Sequence, residues 1–463
     1  MKYKSTRGRV GLIDFQDAVI MGLGDDGGLL VPQSIPDVRG RLKHWSGLEY
    51  NDLAFEIIRL FAGDIPDADL RSIINRSYSK VVFDPAVAPV VKTGPLHVLE
   101  LWHGPTLAFK DVALQMLGNL FEHILSRRGG ELNILGATSG DTGSAAIYGV
   151  RGRRGIRIFI MHPAGRVSPI QERQMTTVLD ENVHNIAVDG SFDDCQRIMK
   201  QIAGDVEFKR AARLGAVNSV NWARVLAQIV YFFSAAFDVQ KSTGAAGVKF
   251  SVPTGNFGDV LAGWYAMKMG APINQLILAT NANDILSRFF NTGVYSTGKV
   301  YQTSSPSMDI QVASNFERYL YYKVGEDPQK LSDMMNQFGS TGSLGVPLDQ
   351  QGKVDADFVA GAADEQQVLD TIAKHYRDYD YVLDPHTAVG VSTAMRLAGD
   401  DAPVICLATA HPAKFPSAIR KATGQDIGRH PAIDKLMNLP TRCLNLPGEA
   451  SAVKDLIAAT IGL

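Results

Sequence analysis

The chain has 463 residues, more than one hydrophobic core usually supports, so two or three domains are expected. Hydrophobic residues make up 45% and charged ones 20%, with a formal net charge of −2. That balance gives no basic footprint for nucleic acid or for an anionic membrane surface.

The opening MKYKSTRGRVGLIDF has no apolar core behind its basic residues, and no uninterrupted apolar run is long enough to span a bilayer. A cytoplasmic protein with no membrane partner is expected. The first 95 or so residues read as a mostly helical N-terminal domain. It holds a short helix over Phe15–Met21, the turn-rich GLGDDGGLLVP ending at Pro32, a helix over Asn51–Phe61 with Asn51 as its N-cap, and another over Pro66–Tyr78. No strand-forming alternation shows here. Ser5, Thr6 and Arg7 are polar enough to reach a phosphate-bearing site.

From Leu96 the pattern becomes alternating strand and helix. HGPTLAFKD (103–111) leads into a helix whose apolar residues Phe109, Val112, Ala113, Met116, Leu117, Leu120, Phe121, Ile124 and Leu125 recur at helical spacing, up to Gly129 and Gly130. Lys110 falls in its first turn, where unpaired N–H groups and the helix dipole disfavour a cation unless the amine is neutral or covalently used. Asp111 would ease a merely structural lysine there.

LNILGA (132–137), the loop TSGDTGSAA and a helix from about Gly143 form a strand–loop–helix unit. The same grammar returns at 157–175, 185–203, 248–269, 274–284 and 404–422. Such repetition predicts an α/β fold with a mainly parallel sheet and ligands beyond the carboxyl ends of its strands. The less regular segment 294–374, with helical pieces at Phe316–Val324 and Pro328–Phe338, reads as an insertion between core parts 96–293 and 375–463. Cys195, Cys406 and Cys443 stand far apart with no CxxC or Cys/His pairing, which suits reduced thiols and disfavours a zinc site.

Three loops after apolar runs, TSGDTGSAA, PTGNFGDV and ATAHPAKFP, have small residues followed by a helix. Small residues let backbone N–H groups approach an anion, and the helix start adds a favourable dipole. Neither glycine-bearing loop carries GxxxxGK[ST] or GxGxxG, which disfavours a P-loop nucleotidase or a Rossmann dehydrogenase.

Together HGPTLAFKD, TSGDTGSAA, GRVSPIQERQMTT (165–177), VDGSFDDCQ (188–196), NSVNWARVLAQIVYF (218–232), PTGNFGDV and TAHPAKFP, with STRG near residue 5 and DDGGLLVP near residue 25, resemble the threonine synthases, pyridoxal-phosphate enzymes. The resemblance covers nearly the whole chain and the longer form of the family. It implies fold type II: two three-layer α/β/α domains with mainly parallel sheets, plus the helical N-terminal domain. It also implies a small-molecule substrate, O-phosphohomoserine, converted with water to threonine and phosphate; whether the protein is a monomer or a dimer stays open.

By the same resemblance Lys110 matches the lysine that carries pyridoxal phosphate. Gly255, Asn256, Phe257 and Asp259 match the loop cradling the cofactor phosphate, with the Asp259 carboxylate expected to point away. Thr409 matches the hydroxyl facing the pyridine nitrogen. Ser139, Asp141 and Thr142 lie on the loop resembling the amino-acid carboxylate clamp. For the substrate phosphate two groups compete, Arg166 with Ser168 and Gln171, and Asn221 with Arg224; either arginine could equally be structural.

His103 is expected to hydrogen-bond within the lysine loop, His386 to have a packing or indirect cofactor role, His162 and His411 to shape turns, and Asp193 and Asp194 to cap a helix. The rivals are a serine or threonine dehydratase or a phospho-lyase on the same scaffold and, outside catalysis, a noncatalytic regulatory protein of that fold, which retention of Lys110 argues against.

Overall fold

A computed structural model describes residues 1–138, 140–215 and 217–463. Two sheets organise it. The first runs, edge to edge, Phe358–Ala362, Ile273–Thr280, Val248–Pro253, Val404–Ala408, Leu96–Glu100 and Val90–Thr93; all pairs are parallel except the last, which is antiparallel. The second is wholly parallel: Leu444–Leu446, Val183–Val188, Ile156–Pro163, Leu132–Ala137 and Leu214–Gly215. The central strands Val248–Pro253 and Val404–Ala408 are buried at every position. Val404–Ala408 reads as a continuous apolar run because helices cover both faces of a parallel sheet, whereas Val248–Pro253 carries Lys249 and Ser251 on its buried positions, satisfied by the Ala398 carbonyl with Asp401 and by the Gly390 carbonyl.

The helix Lys110–Arg128 leaves the first sheet after Leu96–Glu100 and delivers the chain to Leu132–Ala137 of the second. Helices Asp141–Val150, Trp222–Thr243 and Asp67–Ser77 pack against it. At Gly118 an added Cβ would stand 1.9 Å from the Gly149 carbonyl oxygen, so the helices Lys110–Arg128 and Asp141–Val150 meet backbone to backbone. The helix Trp222–Thr243 is long and apolar enough to cross a membrane by length and composition, but 89% of its apolar window is buried inside the protein, as suits a core helix.

The N-terminal region has the expected helices at Phe15–Met21, Tyr50–Ile58 and Asp67–Ser77. Asn51 lies inside the second of these; the N-cap position belongs to Glu49, whose side chain makes no capping bond. The region also holds strands. Tyr3–Ser5 pairs antiparallel with Leu30–Pro32, and Val90–Thr93 joins the first sheet. Strands of three or four residues are too short to show alternation, and the partner of Tyr3–Ser5 is distant in sequence.

Within 294–374, Val294–Ser296 and Ser343–Gly345 form an antiparallel pair, and between them helices run over Phe316–Lys323 and Pro328–Thr341. Phe358–Ala362 is the edge strand of the first sheet, so the segment outside the core ends before Phe358. Cys195 and Cys406 are buried free thiols, and Cys443 is half-buried.

Candidate active site

The carboxyl ends of Val248–Pro253 and Val404–Ala408, with the starts of Lys110–Arg128 and Asp141–Val150, surround a cleft of about 750 Å³ including its open mouth. Lys110, Asp141, Thr142, Arg224, Gly255, Asn256, Phe257, Asp259 and Thr409 all line it. The loops converge because each follows a parallel strand of the same sheet direction.

Lys110 is held at the end of a tightly cinched loop. The Phe109 N–H donates to the Thr409 carbonyl at 2.8 Å, and the His411 N–H to the Leu107 carbonyl at 3.1 Å. Asp111 turns back, accepting from the Thr106 N–H at 2.8 Å and the Thr106 hydroxyl at 2.7 Å, and burial pushes its carboxyl up to about 6. Lys110 Nζ donates to Ser307 Oγ at 3.3 Å and lies 3.5 Å from Asp141 Oδ2. Burial lowers the Lys110 amine from its ordinary value; the Asp141 carboxylate opposes this, and the Lys414 and Arg224 cations add to it. A neutral amine is what a nucleophilic lysine needs.

Asp141 is the most heavily partnered group in the cleft. Lys414 Nζ lies 2.8 Å from its Oδ1, Gln171 Nε2 donates to the same oxygen at 2.8 Å, and Ser307 Oγ donates to Oδ2 at 3.3 Å. Burial raises its pKa, but Lys414 and Lys110 outweigh this and hold the carboxyl well below the usual range. Its side chain is therefore an anion committed to cations, which repels rather than clamps a carboxylate. Thr142, the next residue, is half-buried with its side chain in the cleft lining. Ser139 lies outside the described residues.

The loop Pro253–Gly258 fits a phosphate. Among the described residues no acceptor takes the N–H groups of Gly255, Asn256 or Phe257, and the helix Gly258–Met269 begins directly behind them. A Cβ at Gly255 would meet the Ser307 carbonyl oxygen at 2.9 Å and Met308 Cα at 3.2 Å, so only glycine fits there. Phe257, at φ 66°, is anchored among the rings of Phe290, Phe316, Tyr319 and Phe358. The Asp259 carboxylate points inward and accepts from the Tyr231 hydroxyl; burial pushes it up to about 7.

Arg224 is 5% exposed, lines the cleft, and its buried Nη1 has no partner among the described residues. Burial lowers its guanidinium to about 10. A buried cation without a carboxylate partner is costly unless an anion completes it. Asn221, by contrast, is not brought to the cleft: its Oδ1 caps the helix Trp222–Thr243 through the Ala223 N–H, and its Nδ2 donates to the Val19 carbonyl. Arg166 is exposed and is not among the residues that line the cleft. Ser168 caps the helix Pro169–Thr176 through the Gln171 N–H. Gln171 touches the site only by holding Asp141.

Of the histidines, His386 reaches the cleft. Its Nε2 lies 3.3 Å from the Ser307 N–H, and its Nδ1 pairs with Asp384 at 2.9 Å, which fixes the orientation of the ring. His103 pairs with Glu100 at 2.8 Å and with the Asp84 carbonyl. His411 caps a turn through the Ala413 N–H, and Asp194 forms a capping box with Ser191. His162 is buried beside Cys443. Thr6 and Arg7 bind Glu317, and Ser5 binds Asp26, rather than the cleft. Among the described residues no group of three His, Cys, Asp or Glu side chains is placed to hold a metal ion.

Comparison with known proteins agrees with this geometry along the whole chain. The threonine synthase N-terminus family matches residues 2–78, the pyridoxal-phosphate dependent enzyme family residues 85–333, and the threonine synthase C-terminal family residues 387–457. The threonine synthase of Pseudomonas aeruginosa is 46% identical over 99% of this chain and 98% of its own. The chain belongs to the threonine synthase family.

Its fold is that of the type II pyridoxal-phosphate enzymes, and pyridoxal phosphate is its cofactor. The structure of the pyridoxal-phosphate-bound threonine synthase of Brucella melitensis superposes with a TM-score of 0.95 at 42% identity, covering 99% of both chains. Yeast threonine synthase gives 0.94 at 43%, covering 100% of this chain and 99% of that one. Maize serine racemase, at 12% identity and a TM-score of 0.51, shares the fold alone.

Sequence reasoning within the family pattern missed Ser307, Lys414, Ser219 and Gln228, all placed in or against the cleft. Lys414 stands inside the quoted TAHPAKFP motif and was legible as a buried cation in an anion-binding loop. Ser307 carries no signal of its own; the loop that holds it is fixed by Asp309, which accepts from Asn281 and Thr303.

Proposed function

We propose that this cleft converts O-phosphohomoserine and water to threonine and inorganic phosphate. The observation that carries the reading is a second candidate anion site: Arg224, buried and with its Nη1 unpartnered among the described residues, opens into the same cleft as the N–H groups of Gly255, Asn256 and Phe257, which no described acceptor takes. A dehydratase acting on free serine or threonine has one phosphate to hold, the cofactor's, and no use for a second desolvated cation.

Lys110 and the loop 255–259 would hold the cofactor, with Thr409 supplying a hydroxyl to its ring nitrogen. Bound pyridoxal phosphate supplies an electron sink for negative charge at the substrate's α-carbon. Lys110 Nζ, biased towards its neutral form, accepts the α-proton and returns protons to the carbon skeleton. Ser307 Oγ orients that amine, and the His386 ring orients Ser307 through its backbone. Thr142 and the N-terminal N–H groups of the helix Asp141–Val150 receive the substrate carboxylate. Arg224 takes the substrate phosphate, a role that favours it over Arg166 and Asn221 on burial and position. Ser168 and Gln171 act behind the site, through Asp141.

The test is product analysis on O-phosphohomoserine with Lys110→Ala as control. Equal release of threonine and phosphate by the native protein, abolished in the variant, supports the reading. Release of 2-oxobutyrate in place of threonine would establish the dehydratase or phospho-lyase instead.

A further inference from the structure

Asp141 stands between two lysines at unequal distances: 2.8 Å from Lys414 Nζ and 3.5 Å from Lys110 Nζ. Lys414 is anchored independently, since its Nζ also donates to the Thr106 carbonyl at 2.7 Å and its side chain is wholly buried. Gln171 and Ser307 supply the other donors to the Asp141 carboxylate. Among the described residues, the remaining charged or titratable groups around Lys110 are Arg224 on the helix Trp222–Thr243, His386 at the start of Pro385–Leu397 with Asp384 at its N-cap, Asp259 in the cleft lining with its carboxylate held by Tyr231, and Asp111 on its own helix, turned away to Thr106. Lys414 is the nearest cation to Asp141. Were it absent, Lys110 would be the only ammonium beside a buried carboxylate. Such a pair holds its proton tightly, because the uncompensated anion in a low-dielectric site favours a charged partner.

We propose that Lys414 is a positioning residue: it sequesters the Asp141 carboxylate, so that Lys110 keeps only a long contact with it and its amine is free to lose its proton. The inference rests on Lys110 being the reactive amine of the proposed function. It explains why an ammonium is buried beside a site that must keep another amine neutral.

The experiment is competitive acetylation of the full-length, cofactor-free protein with trace acetic anhydride across pH, reading Lys110 by peptide mass spectrometry. Lys414→Met should raise the Lys110 midpoint by about one pH unit or more, a reactivity at neutral pH lower by about tenfold or more. Asp141→Asn should lower the midpoint. The decisive comparison is the double variant: in the Asp141→Asn background, Lys414→Met should shift the midpoint by less than half of its effect in the native background. A shift of full size there would mean that Lys414 acts by its own charge and would overturn the proposal. So would an unchanged midpoint in Lys414→Met. Should Lys414→Met fail to fold, Asp141→Asn decides alone, and an unchanged midpoint overturns the proposal. Borohydride fixation of added pyridoxal phosphate on the native protein separates the two readings. No label on Lys110 overturns the proposed function and this inference with it, whereas label with unchanged midpoints overturns this inference alone.

Discussion

Replacing Arg224 by leucine separates anion binding from folding. The guanidinium is 5% exposed and its buried Nη1 has no partner among the described residues, so the protein carries a desolvated cation that only a bound anion completes. Hydrogen bonds to a charged group contribute about 1.5–3 kcal/mol, so Arg224→Leu should weaken inorganic phosphate binding to the cofactor-loaded protein by about 10- to 150-fold. Linkage carries this into stability. At a phosphate concentration of about 100 times the native Kd, the native protein gains about 2.7 kcal/mol; at that same concentration the variant gains only about 0.3–1.4 kcal/mol. Without phosphate the variant should be no less stable than the native protein, because the change removes an uncompensated charge. Isothermal titration calorimetry reads the affinity, and thermal unfolding with and without phosphate reads the linkage. An unchanged Kd with unchanged thermal protection refutes the assignment of Arg224 to an anion.

Asp259 gives a pH prediction. Burial raises its carboxyl from 3.8 to about 7, so between those values the folded state binds the extra proton and stability falls as pH rises. Asp259→Asn should flatten that fall in urea-denaturation midpoints measured from pH 4 to 8, and a slope equal to the native one would count against it. Gly118→Ala places a methyl about 1.5 Å short of ordinary contact with the Gly149 carbonyl oxygen; backbone cannot rotate away, so a destabilisation of about 1–3 kcal/mol and weaker cofactor retention are expected in thermal and absorbance assays. Arg318, fully buried, donates to the Leu30 and Val220 carbonyls and to Asn315 Oδ1. Arg318→Met should leave these acceptors bare, at about 1–3 kcal/mol each, and speed limited proteolysis near Leu30.

The lysine loop was legible because its signals are local: a helix with unbroken periodicity from Phe109, and a cation at a helix start that calls for explanation. The strands of 132–137 and 404–408 were legible as apolar runs bounded by glycine or proline, and that of 248–253 by its place before the glycine-bearing loop PTGNFGDV. The strand pair Tyr3–Ser5 with Leu30–Pro32 was not, since three residues hold no period and the partner is set by packing. Asn51 shows the limit of cap reading. A good capping residue sits two positions inside its helix, because tertiary packing places the start at Tyr50.

The competing phosphate groups show the same divide. Asn221 and Arg224 are three residues apart on one helix, yet one is spent on capping and on the Val19 carbonyl while the other opens into the cleft. Spacing could not choose between them, because the choice depends on what packs against each side of the helix.

The sequence by itself determined the parallel α/β architecture, the family and the lysine at its centre, because these are written in short-range pattern and in motifs that keep their order along the chain. Only the tertiary structure decided which charges meet. The sharing of Asp141 by Lys414, Gln171 and Ser307, the approach of Ser307 from the irregular segment, and the unpartnered state of Arg224 among the described residues all arise between residues tens to hundreds of positions apart. Burial and charge at a site are sums over neighbours in space, and the linear order of a chain does not contain that sum.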